Sequence, residues 1–220
     1  KVTGIQTCAL PILVLAPGVS AIQPPLPGID LPGIFSVRTI PDSRRVRSWI
    51  LEKDAKSAVV VGGGFIGLEM AENLAHRGLS VTIVEAARQV MPPLDPEMAW
   101  LVEEQLQAKG VHLRLGEGVT GFEAHDGRIR VNTAAASIDA DLVILAIGVR
   151  PETGLARAAG LEIGKTGGIV VDDQIRTSDP AIFAVGDAVE TVDFVTGTHQ
   201  VVPLAGPANR QGRIARSEEH

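Results

Sequence analysis

The residues from Ala58 to Glu85 read Ala-Val-Val-Val-Gly-Gly-Gly-Phe-Ile-Gly-Leu-Glu-Met-Ala-Glu-Asn-Leu-Ala-His-Arg-Gly-Leu-Ser-Val-Thr-Ile-Val-Glu, and no other stretch restricts the fold so severely. Ala58 to Val61 is an apolar run without polar alternation, the pattern of a parallel strand covered on both faces. Gly62, Gly64 and Gly67 follow in G-x-G-x-x-G phase. Gly62 serves a tight turn, Gly64 lets backbone approach a pyrophosphate, and Gly67 lets a helix pack closely on the sheet. The helix behind them, beginning around Phe65 and Ile66, aims its N-terminal amides at the anion.

Ile66, Met70, Ala71, Leu74 and Ala75 give that helix one apolar face, and His76-Arg77-Gly78 closes it with positive charge and a C-terminal glycine. Ser80 to Val84 is the next strand. Glu85 ends it, about twenty residues beyond the glycines, where an acid can accept hydrogen bonds from the adenosine ribose hydroxyls. A carboxylate there favours NAD over NADP, because a 2′-phosphate would meet negative charge. Arg88 is the complication: it is either a partner for a 2′-phosphate or a solvated loop arginine.

The composition sets the outer limits. With 220 residues, 45% hydrophobic and 21% charged, the chain reads as globular, and its net charge of -6 offers no basic surface for nucleic acid. No apolar run reaches the roughly eighteen residues of a membrane helix, so a soluble, cytoplasmic protein is expected. Cys8 is the single cysteine and can form no intrachain disulfide. Lys1 to Ile12 resembles a translated sequencing adapter, and residues 216–220 resemble the start of its complement. Both ends are therefore expected to be non-native, which leaves about Leu13 to Ala215 as a piece of a longer protein.

Around the glycine core the pattern is α/β. Leu13 to Gly18 is a strand leading into a proline-rich connector, and a helix runs from Pro41-Asp42 to about Glu52. Asp95-Pro96-Glu97 opens a further helix, marked by Met98, Leu101, Val102, Gln105 and Leu106 and ending at Gly110. Val111 to Leu115 is a third parallel strand, and an Asp126-Gly127 turn joins Val119–Ala124 to Arg128–Thr133 in an antiparallel hairpin. Asp141 to Gly148 is a last buried strand. The expected division is a partial domain with connector over 13–50, a Rossmann-like nucleotide domain with an antiparallel insert over 51–148, and the remainder of the interrupted domain over 149–215. In that last part, Val149-Arg150-Pro151 breaks the pattern and Pro203 to Gly212 reads as a ligand-approach loop or a helix start.

Three motifs converge on one family. Leu15-Ala-Pro-Gly18, Leu145-Ala-Ile-Gly148 with Arg150-Pro151, and Thr177-Ser-Asp-Pro-Ala-Ile-Phe-Ala-Val-Gly-Asp187 resemble the pyridine nucleotide-disulfide oxidoreductases. These are glutathione-reductase-like flavoproteins in which an NAD domain is inserted into an FAD domain. Asp193 to Gly197 and Val202 to Arg213 are most similar to CoA-disulfide reductases and NADH oxidases.

The resemblance implies FAD and NAD as cofactors, with NADH preferred over NADPH, and a small-molecule disulfide or oxygen as acceptor. It also implies a parent homodimer formed through a C-terminal domain not seen here. Gly148, Gly186 and Asp187 would then contact cofactor, Phe65 would cover the nicotinamide pocket, and Glu69 would lie near the flavin ring. Plainer roles stand beside these: a helix N-cap for Asp187, a packed aromatic for Phe65, an exposed helix acid for Glu69. The redox cysteine and first flavin glycine motif of the family have no match, so no catalytic residue is assigned. No histidine spacing suits a metal. A ferredoxin or rubredoxin reductase, and a nucleotide-binding module without turnover, are the alternative readings.

Overall fold

The computed structural model describes residues 13–216. The adapter-like reading of 1–12 and of 216–220 therefore lies, but for Arg216, outside the described residues. Within these residues the chain forms two compact units, one from 13–20 with 149–216 and one from Ala21–Gly148. It begins with two short strands, β1 (Leu13–Leu15) and β2 (Val19–Ala21).

The central unit contains β3 (Ile34–Phe35), α1 (Ile40–Glu52), β4 (Ser57–Val61), α2 (Phe65–His76), β5 (Ser80–Glu85), α3 (Pro96–Ala108), β6 (His112–Leu115), β7 (Val119–His125), β8 (Arg128–Thr133), β9 (Ser137–Ala140) and β10 (Leu142–Leu145). Five of these strands make a parallel sheet in the order β3-β10-β4-β5-β6. Alternate residues of each strand feed opposite layers, as a two-residue period requires. Val60, Val81, Ile83 and Ile144 pack with Val46 and Ile50 of α1 and Ala71 and Leu74 of α2. Val59, Val61, Val84 and Val143 pack against Phe122, Ile129 and Val131 of the antiparallel β7-β8-β9 sheet. Both faces of the parallel sheet are thus covered, which is why its strands are apolar without interruption.

Local chemistry fixes the ends of these elements. Thr39 accepts from the Asp42 amide, while Asp42 accepts from the Thr39 amide at 2.8 Å, a reciprocal cap that starts α1. The Thr39 hydroxyl and amide, with Arg45 and the Arg38 amide, hold the Asp42 carboxyl far below the usual carboxylate range. Asp126 and Gly127, at φ of 48° and 75°, make the left-handed pair that a two-residue hairpin turn needs.

Several expectations shift. Residues 21–50, read from sequence as part of the interrupted domain and its connector, pack in the central unit: Ile34 pairs with Val143, and Trp49 donates to the Asp141 carbonyl at 2.9 Å. Asp95 stands at the N-cap of α3 but makes no capping bond. Met98 and Leu101 on α3 are 55% and 51% exposed.

The outer unit adds β11 (Val149–Pro151), α4 (Gly154–Ala158), β12 (Ile169–Val170), β13 (Ile182–Ala184), β14 (Val189–Val192), β15 (His199–Gln200) and α5 (Ala205–Arg216). Arg150-Pro151, read as a break, belongs to a strand paired with β2, and β1 pairs in parallel with β13. Of Pro203 to Gly212, which reads from sequence as a ligand-approach loop or a helix start, residues 205–212 are helical, with Pro207 tolerated because it sits in the first turn. A small core of Ala156, Leu161, Ile169, Ala184, Ala188 and Val189 holds this unit together. Among the described residues no helix is long and apolar enough to cross a membrane.

Candidate functional site

Parallel pairing sets Val61, Val84 and Leu145 side by side, so β4, β5 and β10 end at one edge of the sheet. Gly62, Glu85 and Gly148 all lie at or just beyond that edge, where α/β sheets place their ligands. Gly62 has a φ of +108°, and a side chain there would collide with the Ala146 carbonyl. A Cβ on Gly67 would overlap the Gly62 carbonyl, so α2 can start this close to β4 only with glycine at that position.

Gly64 differs from both. A Cβ at Gly64 would meet nothing within 4 Å, so the absent side chain leaves open space in front of the turn. Gly64 is also the N-cap of α2 and provides no side chain to satisfy the first amides of the helix. Phe65, Ile66 and Gly67 form that first turn. A twelve-residue helix with an uncapped N-terminus facing open space suits a phosphate, which takes hydrogen bonds from the amides and meets the positive end of the helix dipole.

Glu85 is held in place by the turn it faces. Its Oε2 accepts from the Gly63 amide at 2.6 Å, and its Oε1 accepts from the Ala87 amide at 2.7 Å. Each carboxylate oxygen retains a further lone pair for a ligand hydroxyl. Arg88 is exposed.

Glu69 follows Phe65 one helical turn along α2. Both line a groove of about 580 Å³ between α2 and α3, opposite Leu101 and Leu106. Phe65 is 58% exposed, so the packed-aromatic alternative does not describe it.

Gly186 and Asp187 belong to the outer unit. They open a single 3-10 turn, and β14 follows at once, so Asp187 caps no α-helix. The Gly186 amide donates to Oε1 of Gln211 on α5 at 2.7 Å. No hydrogen bond or ion pair engages the Asp187 carboxylate among the described residues.

Three residues near these positions escaped the sequence reading. Gln211 supports the Gly186 turn, while Met91 and Glu103 support the Gly63 turn. All three act through single backbone groups distant in sequence, which no motif or period records.

A glycine turn that delivers an uncapped helix from the first strand, with an acid at the tip of the second, defines an α/β domain of the dinucleotide-binding type. Residues 6–212 match the family described as pyridine nucleotide-disulphide oxidoreductase, and the chain belongs to it.

An NADH oxidase from Methanocaldococcus jannaschii is 44% identical over 92% of this chain and 45% of its own length. The crystal structure of reduced Bacillus anthracis CoADR-RHD superposes with a TM-score of 0.88 at 48% identity, covering 94% of this chain and 37% of the other. The water-forming NADH oxidase from Lactobacillus brevis, solved bound to NADH, gives a TM-score of 0.84 at 34% identity over 93% of this chain and 45% of the other. The chain thus spans less than half of each of these relatives.

Proposed function

We propose that this chain is the nucleotide-handling part of an FAD-dependent NADH oxidoreductase of the CoA-disulfide reductase or NADH oxidase type. The observation that carries the reading is the open space at Gly64 in front of the uncapped α2 N-terminus, with the Glu85 carboxylate fixed beside it.

The amides of residues 64–67 would hold the pyrophosphate of NADH, and Glu85 would accept from the adenosine ribose hydroxyls. A 2′-phosphate would bring negative charge against Glu85, which turns NADPH away. Gly148 would let backbone approach the nicotinamide end, since at φ +114° it takes a conformation that favours glycine. Phe65, already exposed, would close over that end, and Glu69 would face the reacting rings.

The outer unit fits a flavin in part. Asp187 would accept from a ribityl hydroxyl, with Gln211 keeping the Gly186 turn in shape. Bound together, the two cofactors would supply hydride transfer from nicotinamide to flavin and onward delivery of electrons to a disulfide or to oxygen. Within this chain no residue is assigned to the acceptor step. The parent would be a cytoplasmic homodimer drawing on the NADH of the cell interior.

Calorimetry on the chain tests the nucleotide assignment: NADH binds more tightly than NADPH, and Glu85→Ala narrows the difference by roughly tenfold, the worth of one charge-assisted hydrogen bond. A preference for NADPH in the unmodified chain contradicts the role of Glu85. For the parent, NADH-dependent reduction of CoA disulfide or of oxygen is expected, and the absence of both activities would defeat the proposal.

A further inference from the structure

Gly63, the middle glycine of the turn, is gripped on every side. Its amide donates to Glu85, and its carbonyl accepts from the Met91 amide at 2.8 Å. Val90, fully buried, stands so close that a Cβ on Gly63 would lie 3.2 Å from its Cγ1. The peptide plane ahead of the phosphate-facing amides is therefore set by the loop after β5.

That loop is itself under tension at one residue. Met91 has a φ of +48°, a left-handed conformation unusual for a long side chain, and it is 5% exposed. Such a conformation costs energy and persists only where the surroundings over-determine it. The neighbouring bond that holds it comes from α3, where Oε1 of the half-buried Glu103 accepts from the Val90 amide at 3.1 Å. The sequence of contacts runs from Glu103 to Val90, through the strained Met91, to Gly63 and the α2 N-terminus.

We propose that Glu103 is a positioning residue for the dinucleotide. It touches no ligand, and sets the direction of the pyrophosphate-binding amides by fixing the Gln89-Val90 peptide, next to the Val90-Met91 peptide whose amide meets the Gly63 carbonyl. The inference rests on assigning the glycine turn to a dinucleotide. It separates two properties that Glu85 combines: Glu85 meets the ribose and sorts NADH from NADPH, whereas Glu103 acts on the turn alone. Loss of Glu103 must therefore weaken every ligand that carries the adenosine diphosphate to the same extent.

The test is calorimetric titration of the whole chain and its variants with ADP, NADH and NADPH. Glu103→Ala is expected to weaken all three about tenfold, the effect of one backbone hydrogen bond to a charged group, and to leave the NADH to NADPH ratio unchanged. Glu103→Gln keeps an acceptor oxygen and is expected to restore affinity to within about twofold. Unaltered ADP affinity in Glu103→Ala, a changed ratio, or no rescue by glutamine overturns the proposal.

Amide hydrogen exchange on the unmodified chain needs no variant to fold. Gly63 and Met91 are expected to be protected without ligand to the degree of the β4 amides, and exchange as fast as a free loop also overturns it. Failure of the unmodified chain to bind ADP at all would instead remove the nucleotide assignment and this proposal with it.

Discussion

The two units of this chain bury apolar residues to very different extents. In the central unit a five-stranded parallel sheet is covered by helices on one face and by an antiparallel sheet on the other, and Val60, Ile83, Val143 and Ile144 are completely buried. In the outer unit the sheets have two or three strands, and Leu13 and Val14 on β1 are 51% and 45% exposed. Its helix α5 has no buried residue, and Phe194 is fully exposed. Burial of apolar area is the main favourable term in folding. Most of the stability of this chain should therefore reside between Ala21 and Gly148, where the candidate dinucleotide site also lies.

That contrast can be broken by mutation. The largest effect is expected at Ile144, which lies at the centre of the sheet: Ile144→Ala should cost about 3 to 4 kcal/mol in chemical unfolding followed through Trp49. A loss below about 1 kcal/mol would mean that the central sheet is not packed as described. Gly62→Ala comes next at about 3 kcal/mol, because the new methyl meets the Ala146 carbonyl at a backbone angle that favours glycine. It should also abolish NADH binding, and an alanine variant that binds normally would remove Gly62 from the site.

A charged exception within the outer unit sharpens the comparison. Glu190 is 3% exposed, accepts from the Thr166 amide at 2.8 Å and from its hydroxyl, and lies 3.0 Å from Nδ1 of His199. Burial raises its carboxyl, but the Thr166 hydrogen bonds and the facing His199 outweigh that and hold it below the usual glutamate range. A carboxylate depressed in the folded state stabilises above its unfolded value, and that stability is lost as the pH falls through the folded value.

Acid should therefore loosen the outer unit, and Glu190→Ala should cost about 2 kcal/mol at neutral pH through the unpaired Thr166 groups. Exchange protection around Ile169 that persists unchanged in acid would count against this. The smallest effect is expected at Phe194, where Phe194→Ser should change stability by less than about 0.5 kcal/mol, since the ring contacts nothing it could lose.

How much of this could be read from the residues depends on the range of the forces involved. The strand from Ala58, the glycine turn, the helix and Glu85 were legible because apolar runs, glycine phase and caps act within about thirty consecutive residues. The Asp126-Gly127 turn was legible for the same reason. The pairing of β2 with β11 was not: both strands are three residues long and lie far apart in sequence, with no period to mark them.

The helix α3 was legible from its spacing, but spacing does not say that Met98 and Leu101 stay more than half exposed. Residues 21–50 were assigned to the wrong neighbour because proline-rich composition records a lack of regular structure and says nothing of what it packs against. The bonds from Glu103 to Val90 and from Gln211 to Gly186 join one side chain to one backbone group across the fold, and only coordinates display them.

The central claim is that a pyrophosphate rests on the amides of residues 64–67 while the neighbouring sugar meets Glu85. Amide chemical shifts of the isotopically labelled chain, followed during titration with NADH, test it directly. The largest changes should fall on residues 63–67 and on Ala87, whose amide shares the Glu85 carboxylate. Saturable binding of NADH that leaves those amides unmoved would contradict the account.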